Sequence, residues 1–293
     1  MSPVDPVVAR KTWRTLEPIH GLVYFAPEAA ERYAGLGIED RAGYFASRAA
    51  PMGPVGAGVV IATFFNFNPD LVRAAIPTAW HTASTDKILD ARLEGANAAL
   101  RRALGDAVGT PEMAEAAALA RTAAEAATEH VEGRPLFAGH AGLDWPDEPH
   151  LVLWHAQTLL REYRGDGHVA ALTVAGLTGI EALVVHAATG EVSAAVLKAT
   201  RAWSDEQWGA GVDAVRSRGW LADGDELRLS ASGAAHRQEV EDVTDRLAVP
   251  AYSALGDEAC ADLRRLARPF SQAVVASGTF GFGSGREQGR SGP

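Results

Sequence analysis

The residues Ala214-Val215-Arg216-Ser217-Arg218-Gly219-Trp220-Leu221 run into Ala222-Asp223-Gly224-Asp225, then into Glu226-Leu227-Arg228-Leu229-Ser230-Ala231-Ser232-Gly233. A helix over 204–218 is expected to stop at Gly219. Its start pairs Ser204 with Gln207 three residues on, a capping-box pattern in which each side chain satisfies a free backbone N–H. Asp223-Gly224 between two short apolar runs signals a two-residue hairpin, because both residues tolerate the positive φ of such turns. Ser230 then launches a long helix through Leu247. Upstream, 179–188 and 192–202 read as two further helices, separated at Gly190. The order is three helices, a short hairpin and a long helix.

Outward from this segment helical spacing dominates. Apolar residues three and four apart mark 5–19, 29–36, 40–50, 70–76 and 85–104, broken by Pro27, Gly37 and Pro51-Met52-Gly53-Pro54. The apolar run 55–65 is ambiguous alone and reads as helix, since turn pairs for a hairpin are missing beside it. Thr110-Pro111 starts an alanine-rich helix, 111–130, expected as a connector because each alanine buries little area. A helix over 150–163, a turn at Arg164-Gly165-Asp166-Gly167 and a helix from His168 follow, and 257–276 is the last helix. This gives an N-terminal helical domain over 1–109, a connector helix and Pro-rich linker over 110–149, a second domain over 150–277, and a flexible glycine-rich tail over 278–293.

The 293 residues are 47% hydrophobic and 22% charged, which suffices for a real core and excludes a disordered chain. The single cysteine, Cys260, excludes an intrachain disulfide and a cysteine-based zinc cluster. The apolar stretches 55–67 and 169–180 are too short to span a bilayer. The start Met1-Ser2-Pro3-Val4-Asp5 lacks a basic segment ahead of an apolar core, so a cytoplasmic protein without a membrane partner is expected.

The segment 192–247 resembles the MarR-type winged helix. There a recognition helix ends in an R..GWL turn, here Arg216 to Leu221; a wing follows; and LT..G, here Leu229 to Gly233, starts the next helix. More of the chain is similar to an actinobacterial helix-turn-helix family, through Glu17-Pro18-Ile19-His20, Tyr24-Phe25-Ala26-Pro27-Glu28, Gly43 to Pro51, Thr63 to Pro69, and Trp154 to His168. The resemblance implies an all-α, multi-helix protein with a C-terminal winged-helix segment bearing one short β-hairpin wing. By analogy it also implies a homodimer, through 257–276, and a ligand-responsive, DNA-binding regulator.

Charge argues against that last role. Over 204–229 the cations are Arg216, Arg218 and Arg228, against Asp205, Glu206, Asp213, Asp223, Asp225 and Glu226. Phosphate binding draws most of its affinity from lysine and arginine, and the whole chain carries a formal charge of −10. DNA is therefore the less favoured partner, and a small molecule the favoured one.

For the chemistry, two segments stand out. In Arg161-Glu162-Tyr163-Arg164-Gly165-Asp166-Gly167-His168 the glycines allow a turn, Asp166 caps the next helix, and His168 in its first turn is kept neutral as a base. Arg164 is placed to hold a carboxylate or phosphate; the alternative is that an Arg–Asp pair merely ties the turn down. In Tyr44-Phe45-Ala46-Ser47-Arg48, an arginine among apolar residues must find a partner or face a cavity. Phe65, Asn66, Tyr24 and Trp154 supply aromatic and polar walls, with core packing and helix capping as the alternative. His155 joins the candidate ligand set. His20 or His155 in axial positions would suit haem, but nothing in the sequence is specific to it, and no metal motif, Walker loop or Gly-x-Ser-x-Gly elbow occurs. The expectation is a protein binding a partly aromatic, anionic molecule in a cleft between its halves, oriented by Arg48 and Arg164. It needs no cofactor. If a reaction occurs, His168 is the base, Asp166 orients it and Tyr44 donates a proton. The DNA-binding regulator is the alternative.

Overall fold

The computed structural model describes residues 4–224 and 226–280. In chain order the helices are α1 (Pro6–Gly21), α2 (Pro27–Gly35), α3 (Asp40–Ala49), α4 (Ala57–Phe64), α5 (Pro69–Ala75), α6 (Thr78–Thr82), α7 (Thr85–Leu104) and α8 (Pro111–Ala127). They continue as α9 (Pro135–Ala141), α10 (Pro149–Val174), α11 (Gly179–Ala187), α12 (Ala194–Arg201), α13 (Asp205–Ser217), α14 (Ala231–Tyr252) and α15 (Gly256–Ala276). Local chemistry sets many of the starts. Asp5, Asn68, Ser84, Thr110, Ser193 and Ser230 each accept a backbone N–H of the first turn, and Pro stands at the opening of α1, α5 and α8. Full capping boxes start α11, through Thr178 and Glu181, and α13, through Ser204 and Gln207.

The expected β-hairpin wing is not formed. Among the described residues there is no strand, and the segment after α13 closes with one isolated bridge, Leu221 to Leu229. Two backbone bonds flank it, Ala222 N–H to Arg228 O at 2.9 Å and Ser230 N–H to Trp220 O at 2.9 Å. The residues between are Asp223, Gly224, Asp225, Glu226 and Leu227, and Asp225 lies outside the described residues. So few apolar positions, with acids between them, leave nothing to extend a ladder. The all-α class stands; the winged description does not.

The turn expected at 164–167 is helix as well, inside the 26-residue α10. Gly167 is there for packing rather than turning, since a Cβ on it would sit 2.9 Å from Arg134 Nη1.

Two cores result. The first gathers the buried faces of α1 to α9, most of α10, the end of α14, and α15; the second joins the end of α10 (Ala171, Leu172) to α11, α12, α13, Trp220, Leu221 and Val240. The alanine-rich α8 belongs to the first core, with Met113, Ala116, Ala117, Ala120, Ala123, Ala124 and Ala127 buried and its length laid against α10. Small side chains let two helix axes approach closely, so alanine here serves contact rather than area. α15 turns its apolar stripe, Cys260, Leu263, Leu266, Phe270 and Val274, into the same core and packs on α1. Of the glycine-rich end, Gly278 to Phe280 are described, with Phe280 edge-on to Phe25 at 5.4 Å; residues 281–293 lie outside the described residues. Among the described residues no single helix is long and apolar enough to cross a membrane.

The second core is bolted to the first through the loop after α4. Trp203 Nε1 donates to Asn66 O at 2.9 Å, Asn68 N–H to Arg201 O at 3.0 Å and Asn68 Nδ2 to Ala202 O at 2.9 Å. At Gly179 a Cβ would meet Phe65 O at 2.0 Å, so only glycine fits there.

Candidate functional site

A pocket of about 450 Å³ opens between α2 and α3, walled by Val23, Tyr24, Tyr33, Ile38, Tyr44 and Ser47, with Glu31 and Glu39 also in its lining. Its volume is that of a small-molecule site. The tyrosine rings of its inner wall are fixed from behind. Tyr24 and Tyr44 meet edge to face at 5.1 Å, and each hydroxyl accepts a hydrogen bond from a buried arginine. Arg48 Nη1 donates to the Tyr44 hydroxyl at 3.1 Å, and Arg92 Nη2 to the Tyr24 hydroxyl at 3.2 Å. An accepted bond leaves each O–H free to point into the pocket.

Behind that wall lies a buried charge cluster. Arg48 embraces Glu162 with two bonds, Nε to Oε1 at 3.0 Å and Nη2 to Oε2 at 2.9 Å, and also covers the Phe64 ring at 4.4 Å. Arg161 adds a second cation, Nη1 to Glu162 Oε1 at 2.6 Å, and reaches Glu17 at 3.6 Å. Burial works to raise the Glu162 pKa, but Arg161 and Arg48 together hold it well below the usual carboxylate range. The Glu17 carboxyl is pushed the other way, raised by burial against the pull of Arg161.

His20 completes the cluster. Its Nδ1 lies 2.8 Å from Thr158 Oγ1, and that hydroxyl spends its one proton on Trp154 O at 2.9 Å. Thr158 therefore accepts from His20, which fixes the proton on Nδ1 and leaves Nε2 a bare acceptor. Burial, then the Arg161 and Arg92 charges, lower the His20 pKa well below 6.5, so the ring is neutral. Burial and Arg92 do the same to His140.

The residues expected from sequence divide into two groups. Tyr24, Tyr44, Arg48 and Trp154 come together in and behind the pocket wall. His155 lies on the next face of α10, edge-on to Trp145 at 4.8 Å, its pKa lowered to about 4 by burial and by Arg92. The others sit elsewhere. Arg164 is two residues beyond Glu162, hence on the opposite side of α10. There it pairs with Asp245 at 2.7 Å and Glu241 at 3.4 Å over the Trp13 ring. Arg48 and Arg164 thus share no cleft.

Asp166 does not orient His168. Its Oδ2 accepts from Leu136 N–H at 3.0 Å and Phe137 N–H at 2.9 Å, capping α9, and burial raises its pKa to about 6. His168 instead bonds Thr244 Oγ1 at 2.9 Å, with its pKa lowered to about 4 by burial. Phe65 and Asn66 belong to the joint between the cores. Among the described residues no three His, Cys, Asp or Glu side chains gather as a metal-binding group.

Arg92 and His140 are not among the sequence candidates, and Arg161 and Glu162 stand in the segment singled out by sequence without a role of their own. One signal was present for Arg92. It interrupts the apolar stripe of α7, four residues after Ile88 and four before Ala96, where a charge has no reason to be unless it is used.

On the second core four cations are engaged by carboxylates, while Arg201 lies over the Phe67 ring without one. Lys198 bonds Asp205, Arg216 reaches Asp213 at 3.8 Å, Arg218 meets Glu181 at 3.2 Å, and Arg228 meets Glu226 at 3.2 Å. The exposed residues of α13 are Asp205, Glu206, Gln207, Gly209, Ala210, Asp213, Arg216 and Ser217, so the acids outnumber the one arginine.

No curated protein and no solved structure matches the chain. A family model described as a helix-turn-helix family matches residues 9–281, a span that takes in both cores, the tyrosine pocket and the α11–α13 unit, and the chain belongs to that helix-turn-helix family.

Proposed function

We propose that this protein binds a small, partly aromatic, anionic molecule, and that its working site is the tyrosine pocket rather than the outer face of α13. One observation carries the reading: two pocket-wall hydroxyls, Tyr24 and Tyr44, are each held by a buried arginine. A wall built only for packing has no need of paired cations behind it, because each costs desolvation that a hydrocarbon would not. The pocket lies between α2 and α3 within the first core, not between two halves of the molecule. Native mass spectrometry of the purified full chain tests this. A co-purified mass that dissociates on denaturation, and is lost in a Ser47→Leu variant that fills the pocket, is the expected result. An unliganded mass, together with no thermal stabilisation by any compound from a panel of aromatic acids, would refute it.

The family supports a second reading, sequence-selective binding of duplex DNA through the α11–α13 unit. Against it stand the ion pairs that already engage Lys198, Arg216, Arg218 and Arg228, and the acidic outward face of α13. A gel shift with the DNA upstream of the gene at low salt separates the two. Tight, salt-sensitive binding abolished by Arg216→Ala would favour the regulator.

A further inference from the structure

Arg92 is the least explained residue in the molecule. It is 2% exposed, and no carboxylate lies within ion-pair distance of it among the described residues. Glu162, the carboxylate of the cluster, is already taken on both oxygens by Arg48 and on one by Arg161. Arg92 makes one hydrogen bond, to Tyr24, and its Nε and Nη1 have no partner among the described residues. Its guanidinium lies 5.3 Å from the Tyr24 ring and 5.3 Å from the Trp154 ring. Among the other unpartnered buried atoms near it are the Trp154 Nε1 donor and the Nε2 atoms of His20, His140 and His155, with His20 stacked 6.5 Å from Trp154 and 5.2 Å from Tyr24.

These groups have a sum. Arg48, Arg92 and Arg161 face Glu162 and Glu17, so the cluster carries one more cation than it has carboxylates. A buried guanidinium with two free N–H-bearing nitrogens and no counter-charge is costly unless something supplies both. An aromatic wall, one surplus positive charge, one N–H donor and one bare imidazole nitrogen define a complement: a single negative charge with an adjacent O–H. A phosphate monoester would bring nearly two charges at neutral pH, more than the surplus can match.

We propose, building on the tyrosine-pocket reading, that the pocket continues past Tyr24 to Arg92, and that Arg92, Trp154 and His20 bind the carboxylate and neighbouring hydroxyl of an aromatic 2-hydroxy acid. Arg92 and the Trp154 N–H donate to the carboxylate. His20 Nε2 accepts from the hydroxyl, which it can do because Thr158 holds the ring's only proton on Nδ1. The ring of the ligand lies along Tyr24 and Tyr44.

Mandelate, phenylacetate, phenylacetamide and phenyl phosphate, titrated calorimetrically into the full chain at neutral pH, test the assignment. Mandelate is expected to bind about tenfold or more tightly than phenylacetamide, which keeps the ring and loses the charge, and more tightly than phenyl phosphate. Phenylacetate, lacking the hydroxyl, falls between mandelate and phenylacetamide. Arg92→Gln removes the mandelate preference, bringing mandelate affinity down to that of phenylacetamide measured on the same variant. Should Arg92→Gln fail to fold, the Arg92 Nε–H resonance of the wild-type chain decides instead, shifting on addition of mandelate and not of phenylacetamide. Equal affinity for mandelate and phenylacetamide, or no binding of mandelate, overturns the role given to Arg92. Equal affinity would leave the pocket intact as an aromatic site, and the co-purified mass judges that reading separately.

Discussion

Replacing Glu162 by glutamine keeps its shape and removes its charge. In the fold the side chain is 1% exposed and that of Arg48 10%, so water is a poor substitute partner for either. Glutamine retains one acceptor oxygen where Glu162 offered two, and turns an NH2 donor toward guanidinium donors. Arg48 loses one of its two bonds at 3.0 and 2.9 Å, and the contact with Arg161 at 2.6 Å weakens. The cluster goes from one surplus cation to two. Breaking a buried pair from one side costs about 3–5 kcal/mol, because the stranded charge stays desolvated. Against a total stability of about 5–15 kcal/mol this leaves a marginal protein, with a melting temperature lowered by roughly 10 °C or more. Urea and thermal unfolding followed by circular dichroism measure the loss. The double variant Arg48→Met with Glu162→Gln is expected to lose less than the sum of the single changes, since it removes the stranded charge. A loss below about 1 kcal/mol for Glu162→Gln would match a solvated surface pair and refute the account of a dry cluster.

Acid should destabilise the fold. His155 and His168 titrate at about 4 in the native state, and His20 and His140 lie well below 6.5, all chiefly through burial. A native pKa below the unfolded value means a contribution that is complete above pH 6.5 and lost as pH falls toward 4, at about 1.4 kcal/mol per pH unit for each ring. Asp166, raised to about 6, opposes this: its contribution is complete below 3.8 and lost as pH rises through 6. Net loss of stability on acidification, read from urea midpoints across that window, is expected; a flat profile would contradict the burial of these rings. Gly179→Ala drives a Cβ into Phe65 O and should cost about 1–3 kcal/mol, with faster amide exchange in α11 to α13 than in α7 or α8. Unchanged exchange there would mean that the joint does not hold the second core. Asp166→Ala strands the Leu136 and Phe137 N–H groups and should cost about 1–2 kcal/mol in a urea melt, whereas Asp166→Asn, which keeps an oxygen for them, should cost less. Equal losses would assign the effect to charge rather than to capping.

What was legible in the sequence was local. Ser84, Thr110, Ser204 with Gln207, and Ser230 mark helix starts because a cap and its target lie within three residues. The three helices from Gly179 to Ser217 and the long one after them follow in order for the same reason. Most of the misreadings depend on distant partners. Gly165 and Gly167 look like a turn until Arg134 is brought against Gly167. The alanines of α8 look like a connector until α10 lies along them. Asp223-Gly224 reads as a hairpin, but one bridge is all that the flanking residues support. At the site, an arginine set among apolar residues drew attention to Arg48, and the fold gives it Glu162 and Tyr44 as partners. Arg164 was misjudged because helix geometry turns it away from Glu162. Arg92 is joined to its neighbours only by the packing of α7 on α10 and on the segment that carries Tyr24.

The helix α10 runs through both cores without a break, and at 1.5 Å per residue its 26 residues make a rod about 39 Å long. Trp154, Thr158, Arg161 and Glu162 sit at its middle, while Ala171 and Leu172 are embedded in the second core. A stiff beam anchored at both ends does not let its midpoint shift unfelt. A displacement of Trp154 or of the Glu162 turn would be carried along this helix toward Ala171 and Leu172, its two footholds in the second core. Chamber and lobe thus share one structural member despite having separate interiors.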